Sequence, residues 1–212
     1  MSSQVQDKYL VFDTDFRRIA TDNKISISPS DYGLIPKSLD TAHLKGFWCD
    51  FELTDEKIFL ENLYIHTEND IYPTINGINI SPPEYETIYR IDIVNGKMSD
   101  KQYPVNVDKL HGYKVYEHLH LPVNYTANLL LGKNFHYNCC FDDKRYFFEY
   151  KEVIDFQIED GKIIKRTDIS PLAKSFSEQV KNLKKEYDCF DDFIPIMNKI
   201  LSKEQINEIW WI

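Results

Sequence analysis

Phe47, Cys49, Phe51 and Leu53 alternate with Trp48, Asp50 and Glu52, the period-two pattern of a strand with one buried face. Thr54-Asp55-Glu56-Lys57 turns the chain, and Ile58-Phe59-Leu60-Glu61-Asn62-Leu63-Tyr64-Ile65 brings it back. This predicts a β-hairpin. Its turn phrase (apolar, spacer, Asp or Asn, small or polar, Lys, apolar) recurs at residues 20–25, 93–98 and 158–163. The last two copies hold Asn95-Gly96 and Asp160-Gly161, pairs that tolerate positive φ at both centres of a tight hairpin. Their uneven spacing excludes a propeller or solenoid period.

Other stretches fit the same plan. Tyr9-Leu10-Val11-Phe12 predicts a first strand, and Leu129-Leu130-Leu131 before Gly132, apolar on both faces, predicts a central one. Residues 28–36 and 72–83, rich in Pro and Ser, read as surface connectors. Tyr113, Val115, Leu119 and Leu121 share one predicted strand face, with His118 and His120 on the other. After residue 165 the period changes. Ser170-Pro171 starts a helix, and Leu172, Phe176, Val180, Leu183 and Tyr187 recur at helical spacing. Asp191 or Asp192 caps a second predicted helix, and Ser202 with Gln205 a third ending in Trp210-Trp211-Ile212. With no flexible linker in between, the expectation is an α+β fold in one domain, 1–212. Its antiparallel, hairpin-rich sheet body (1–168) carries a helical C-terminal segment (169–212) packed on it.

Composition narrows the function classes. Hydrophobic content of 42% and charged content of 28% over 212 residues describe a globular chain with a real core. A net charge of -9 repels a phosphate backbone, which argues against nucleic-acid binding. No run of about 18 apolar residues predicts a membrane span, and the first residues lack a signal-peptide pattern. Cys49, Cys139, Cys140 and Cys189 show no framework spacing. They read as reduced thiols, so the expected compartment is the cytoplasm.

Each candidate chemistry has a plainer reading beside it. Phe12-Asp13-Thr14-Asp15-Phe16 resembles the first motif of haloacid-dehalogenase-type phosphatases, but Phe16-Arg17-Arg18 and the hairpins that follow do not continue that pattern. His118-Leu119-His120, with imidazoles about 7 Å apart on one strand face, suits a metal, and His136, Cys139 and Cys140 follow. No Cys-x-x-Cys or His-Glu-x-x-His pattern supports a site there, and solvated histidines are the plainer reading. No glycine-rich phosphate loop is present, so no catalytic residue and no cofactor are assigned. Trp48, beside Asp50 and Glu52 on the polar side of its strand, has the make-up of a hot spot for a basic protein partner. The plainer alternative packs Trp48 under the C-terminal helices.

Residues 41–48 with 51–60, and 121–133 with Tyr150-Lys151-Glu152-Val153-Ile154, are similar to segments of small uncharacterised bacterial β-rich proteins. Those in turn resemble the immunity proteins encoded with polymorphic toxins. The resemblance implies a cytosolic inhibitor that occludes a toxin domain by binding, and it carries over no catalytic residue. The competing expectation is a small-ligand protein or metal-assisted enzyme using His118 and His120. A third is an assembly module with Trp210-Trp211-Ile212 as an oligomer contact.

Overall fold

The computed structural model of the chain describes residues 7–41, 43–94, 97–136 and 146–186 and, of 91–103 and 183–186, the backbone alone. The described residues form strands β1 (Lys8–Val11), β2 (Thr14–Thr21), β3 (Phe47–Leu53), β4 (Ile58–Ile65), β5 (Tyr85–Val94) and β6 (Lys97–Asp108). Then come β7 (Lys114–Tyr116), β8 (Leu121–Pro122), β9 (Ala127–Phe135), β10 (Tyr150–Glu159), β11 (Lys162–Asp168) and the helix α1 (Ser170–Glu186). This is an α+β chain, mostly sheet, with one C-terminal helix. The second and third predicted helices, and Trp210-Trp211-Ile212, lie outside the described residues. The chain sorts into two compact units of discontinuous segments, residues 28–49 with 61–119 and residues 7–27 with 50–60 and 120–186. Their division does not follow the body-and-tail boundary at 168/169, because α1 belongs with the second unit.

The second unit is a small barrel. Its strand order is β11-β10-β9-β2-β1-β3. All these pairs are antiparallel except β1 with β3, which is parallel and sets Tyr9 beside Phe51 and Val11 beside Leu53. The ring closes at the β3–β4 turn. Lys57 bridges Lys162, Ile163 donates its N–H to Glu56 O at 2.7 Å, and Ile58 donates to Gly161 O at 3.0 Å. The register carries Leu129 opposite Phe156 and Ala127 opposite Ile158, and these side chains, with Tyr9, Val11, Phe51 and Leu53, are buried. As predicted, Leu129, Leu130 and Leu131 lie in a central strand buried on both faces. Leu130 points the other way, to a cluster of Phe147, Phe148, Val153, Ala173, Phe176 and Val180 that seats α1 on the outside of the sheet. Ser170 is the first helical residue, and the Ile169 carbonyl accepts the first helical bond, from Ala173 N–H. The Asp168 carboxylate accepts from the Ser170 N–H at 2.9 Å and the Ser170 hydroxyl at 2.6 Å, which holds its pKa below the ordinary range.

The turns show which phrases made hairpins. Thr54 Oγ1 accepts from the N–H groups of Glu56 and Lys57 and closes the β3–β4 turn. Asp160 and Gly161, both at positive φ, join β10 to β11. Asn95-Gly96 lies outside the described residues. The first copy forms no hairpin: after β2 the chain bends, and Thr21, Asp22 and Asn23 bond to Tyr125, Thr126 and Asn128. The hairpin that does form early, β1–β2, turns on Phe12 and Asp13 and was not predicted.

The first unit joins the far end of β4 to β7, with Leu63 opposite Tyr116 and Ile65 opposite Lys114. Leu34, Leu63, Ile65, Tyr113 and Tyr116 are fully buried in it. Gly46, at φ +74°, lies so close to the Lys37 backbone that an added Cβ would meet it at 2.6 Å. Strands β5 and β6 form a separate two-stranded ribbon.

Two outcomes test the barrel. At Gly161 (φ +76°) a Cβ would collide with the Val123 carbonyl oxygen. Gly161→Ala is therefore expected to cost more than about 2 kcal/mol in urea unfolding, and clearly more than Gly77→Ala, where φ is +79° but an added Cβ meets open space, so that only the backbone cost of about 1–2 kcal/mol remains. Asp155 is half-buried, its Oδ1 has no hydrogen-bond partner among the described residues, and burial raises its pKa against a partial offset by Lys165. A raised folded-state pKa penalises folding above it and stops doing so as pH falls through it. Asp155→Asn should thus stabilise at pH 7, by less than about 1 kcal/mol given the screening. The gain should shrink as pH falls towards the ordinary carboxylate range.

Candidate functional site

Trp48 and Tyr64, on β3 and β4, stack with ring centroids 4.8 Å apart and planes 5° apart. Such a cross-strand aromatic pair contributes about 0.5–1.5 kcal/mol beyond its buried area. His43 approaches the indole at 4.4 Å, and the buried Tyr113 ring meets it edge-on at 5.0 Å. Asp40 fixes His43 through Nδ1 at 2.8 Å, and the Tyr113 hydroxyl accepts from Leu39 N–H at 3.1 Å. Trp48 is therefore half-buried in an aromatic cluster of the first unit. None of these packing partners is helical.

The other two residues of the predicted hot spot sit in the barrel unit and differ from each other. Asp50 is only 4% exposed. Period-two alternation assigned it to a solvated face, but β3 lies between β1 and β4, and here both faces of the strand are covered. Its carboxylate does not face solvent, which corrects the expectation that Asp50 steers a partner. Glu52 is half-buried, and its Oε2 lies 3.3 Å from Nδ1 of His120. The His120 ring stacks on Phe59 at 4.0 Å.

His118 and His120 do not share a strand face. Both residues have positive φ, 56° and 44°, so the chain between β7 and β8 turns at each of them and the period-two argument fails. His118 belongs to the first unit, where Nδ1 contacts Glu61 Oε1 at 2.8 Å and its N–H donates to Asn62 Oδ1 at 3.2 Å. His120 pairs with Glu52 instead. His136 is half-buried, and burial together with Lys151 and Lys181 lowers its pKa. Cys139 and Cys140 lie outside the described residues.

Among the described residues, the most exposed aromatic side chains of the first unit lie on the ribbon instead. Tyr85 and Tyr89 are 62% and 67% exposed and stand on one face of β5, opposite Asp108 and Pro104 of β6. Thr87 between them donates to Asn106 Oδ1 at 2.8 Å. Glu84 and Glu86 are exposed alongside, and Glu84 pairs with Lys109 at 2.7 Å. Asp108 braces the ribbon's base by accepting from Leu110 and Gly112 N–H, both at 2.9 Å. In the sequence, Tyr85-x-Thr87-x-Tyr89 shows only that the two rings share a strand face; their exposure follows from β5 having β6 as its strand partner.

No protein-family model, curated protein or solved structure matches the chain. Among the described residues no helix is long and apolar enough to cross a membrane.

The indole's packing makes Trp48 a stability residue of the first unit. Trp48→Ala is expected to cost about 2 kcal/mol, below the usual loss for a fully buried Trp. Trp48→Phe, which keeps the stack on Tyr64, should recover most of it in the same unfolding assay.

Proposed function

We propose that the protein is a non-enzymatic, cytoplasmic protein-binding module, an immunity-type inhibitor that occludes a basic toxin or effector domain. The observation that carries this reading is the β5–β6 ribbon. It sets two tyrosines, each more than three-fifths exposed, on one face of a two-stranded sheet with acidic neighbours. Tyrosine is enriched where interfaces bury their anchors, because a rigid ring brings much contact area at little entropic cost. Glu84, Glu86 and the chain's net charge of -9 favour a basic partner and speed its approach. The anchors are thus Tyr85 and Tyr89. Trp48 supports the unit that carries them, Glu52 is committed to His120, and Asp50 is withdrawn from the surface.

The test is affinity capture of the tagged chain from its own cells, followed by a Kd measured with the captured partner at several salt concentrations. A single stoichiometric partner, binding that weakens with salt, and a loss of tenfold or more for Tyr85→Ala/Tyr89→Ala are expected, since hot-spot truncation costs about 2 kcal/mol or more. The double variant should unfold at the wild-type temperature, because neither ring is buried. Salt-insensitive binding, or a double variant that binds like wild type, would remove the ribbon and the charge argument together.

A further inference from the structure

One end of the barrel opens into a cavity of about 260 Å³. Its apolar wall is Val11, Phe16 and Ile154, all buried, with Phe12 at the rim and Lys133 and Arg166 reaching in. The mouth of a small barrel is a recurrent place for a ligand. Two independent features point to this one being used.

The first is strain at the rim. The β1–β2 hairpin closes at Val11–Thr14 and leaves Phe12 and Asp13 as a two-residue loop, at φ 49° and 58°. Hairpins of this length need positive φ at the centre and draw on Asn and Gly for it. The same chain does so at Asp160-Gly161. A bulky aromatic at positive φ costs about 1–2 kcal/mol, and strain of this kind collects at functional sites. Nor is Phe12 held by burial, being 52% exposed. Its partner is Arg166, whose guanidinium carbon lies 4.4 Å from the ring centroid.

The second is an imbalance in hydrogen bonding. The carboxylates at the mouth already accept short bonds. Glu152 takes one from Asn134 Nδ2 at 2.7 Å, and Asp168 takes two from Ser170. The cations are less well matched. Lys133 Nζ comes no nearer than 3.8 Å to Glu152, and Arg166 reaches Asp55, an exposed residue outside the cavity, only at 3.9 Å. Both separations exceed hydrogen-bond length. A guanidinium over a ring uses its face there and keeps its N–H edge for a planar acceptor, which a carboxylate matches with two parallel bonds.

We infer that the barrel mouth binds a small organic carboxylate with an apolar, ring-sized body, its anionic end between Arg166 and Lys133 and its body against Phe12 and Phe16. A volume of this size admits a single ring. The inference is independent of the partner-binding ribbon, which lies in the other unit.

Benzoate serves as the probe, titrated to about 10 mM into the full-length chain and followed by backbone amide NMR. Benzamide (same body, no charge) and acetate (same charge, no body) are the controls. Saturable shifts at residues 11–16, 133, 152–154 and 166 are expected with benzoate, and binding about tenfold weaker or worse for both controls. Arg166→Gln should cost benzoate at least about tenfold, the usual loss for a charge-assisted bond. Phe12→Asn gives the loop a residue suited to its backbone, so its thermal midpoint should equal or exceed wild type while benzoate binding falls. That combination separates a ring kept for a ligand from one kept for the fold. Benzoate no tighter than benzamide or acetate would overturn the inference. So would shifts scattered away from the mouth, or either variant binding benzoate as wild type does.

Discussion

The tightest approach in the barrel lies at the seam where it closes. The Val123 carbonyl oxygen occupies the space a Cβ would need at Gly161, while Gly161 N–H donates to Tyr125 O at 2.8 Å and its carbonyl accepts from Ile58. Three chain segments far apart in sequence meet at that residue: the β10–β11 turn, the segment after β8 and the start of β4. β11 has only β10 as a long-paired neighbour, so closure rests on this approach together with the Lys57–Lys162 bridge and the Ile163–Glu56 hydrogen bond. Without that seam the ring would reopen into a sheet with two edges, and edges invite wrong pairing. The cavity at the mouth depends on the same closure, since Arg166 of β11 meets Phe12 of the β1–β2 turn only when the ring is bent round.

Against that seam, the legible and the illegible parts of the fold separate by backbone physics. Asp160-Gly161 was readable because its residues favour the backbone the turn requires. Thr54-Asp55-Glu56-Lys57 was readable from the apolar runs on either side. Phe12-Asp13 was opaque for the opposite reason: local preference argues against positive φ at a phenylalanine, and tertiary pairing overrode it, hiding the whole of β2. The same failure misled the reading of His118 and His120. Alternation implies a strand only where φ stays negative, and both histidines sit in the left-handed region. The turn phrase at residues 20–25 misled in the other direction, since its polar residues satisfy the backbone and side chains of residues 125–128 instead of closing a hairpin.

The candidate site was less legible than the fold, because exposure is a non-local property. Trp48, Asp50 and Glu52 alternate in sequence with an apolar set, yet they meet three environments: an aromatic stack, a buried position and an ion pair with histidine. What differs is the neighbouring strand, and period two cannot report on neighbours. Tyr85 and Tyr89 stand out only once β5 is known to have a single partner, because identical tyrosines in a wider sheet would be covered.

Among the described residues, the two units divide their exposed large hydrophobics unequally, and this bears on where function resides. Ile35, Leu39, Leu44, Ile71, Tyr85 and Tyr89, all in the first unit, are exposed large hydrophobics, whereas the barrel unit shows Phe12, Phe135 and Ile164. A closed barrel with a packed interior satisfies its own backbone and supplies rigidity. Connecting segments anchored at Gly46 and Asp108 can then hold side chains out of the core, a cost that a less constrained chain would relieve by collapse. On this division the first unit is suited to meeting a large surface, through rings that stand clear of it. The barrel is suited to a small molecule, because a strained aromatic, Phe12, borders a cavity lined by charges that its own carboxylates leave poorly matched.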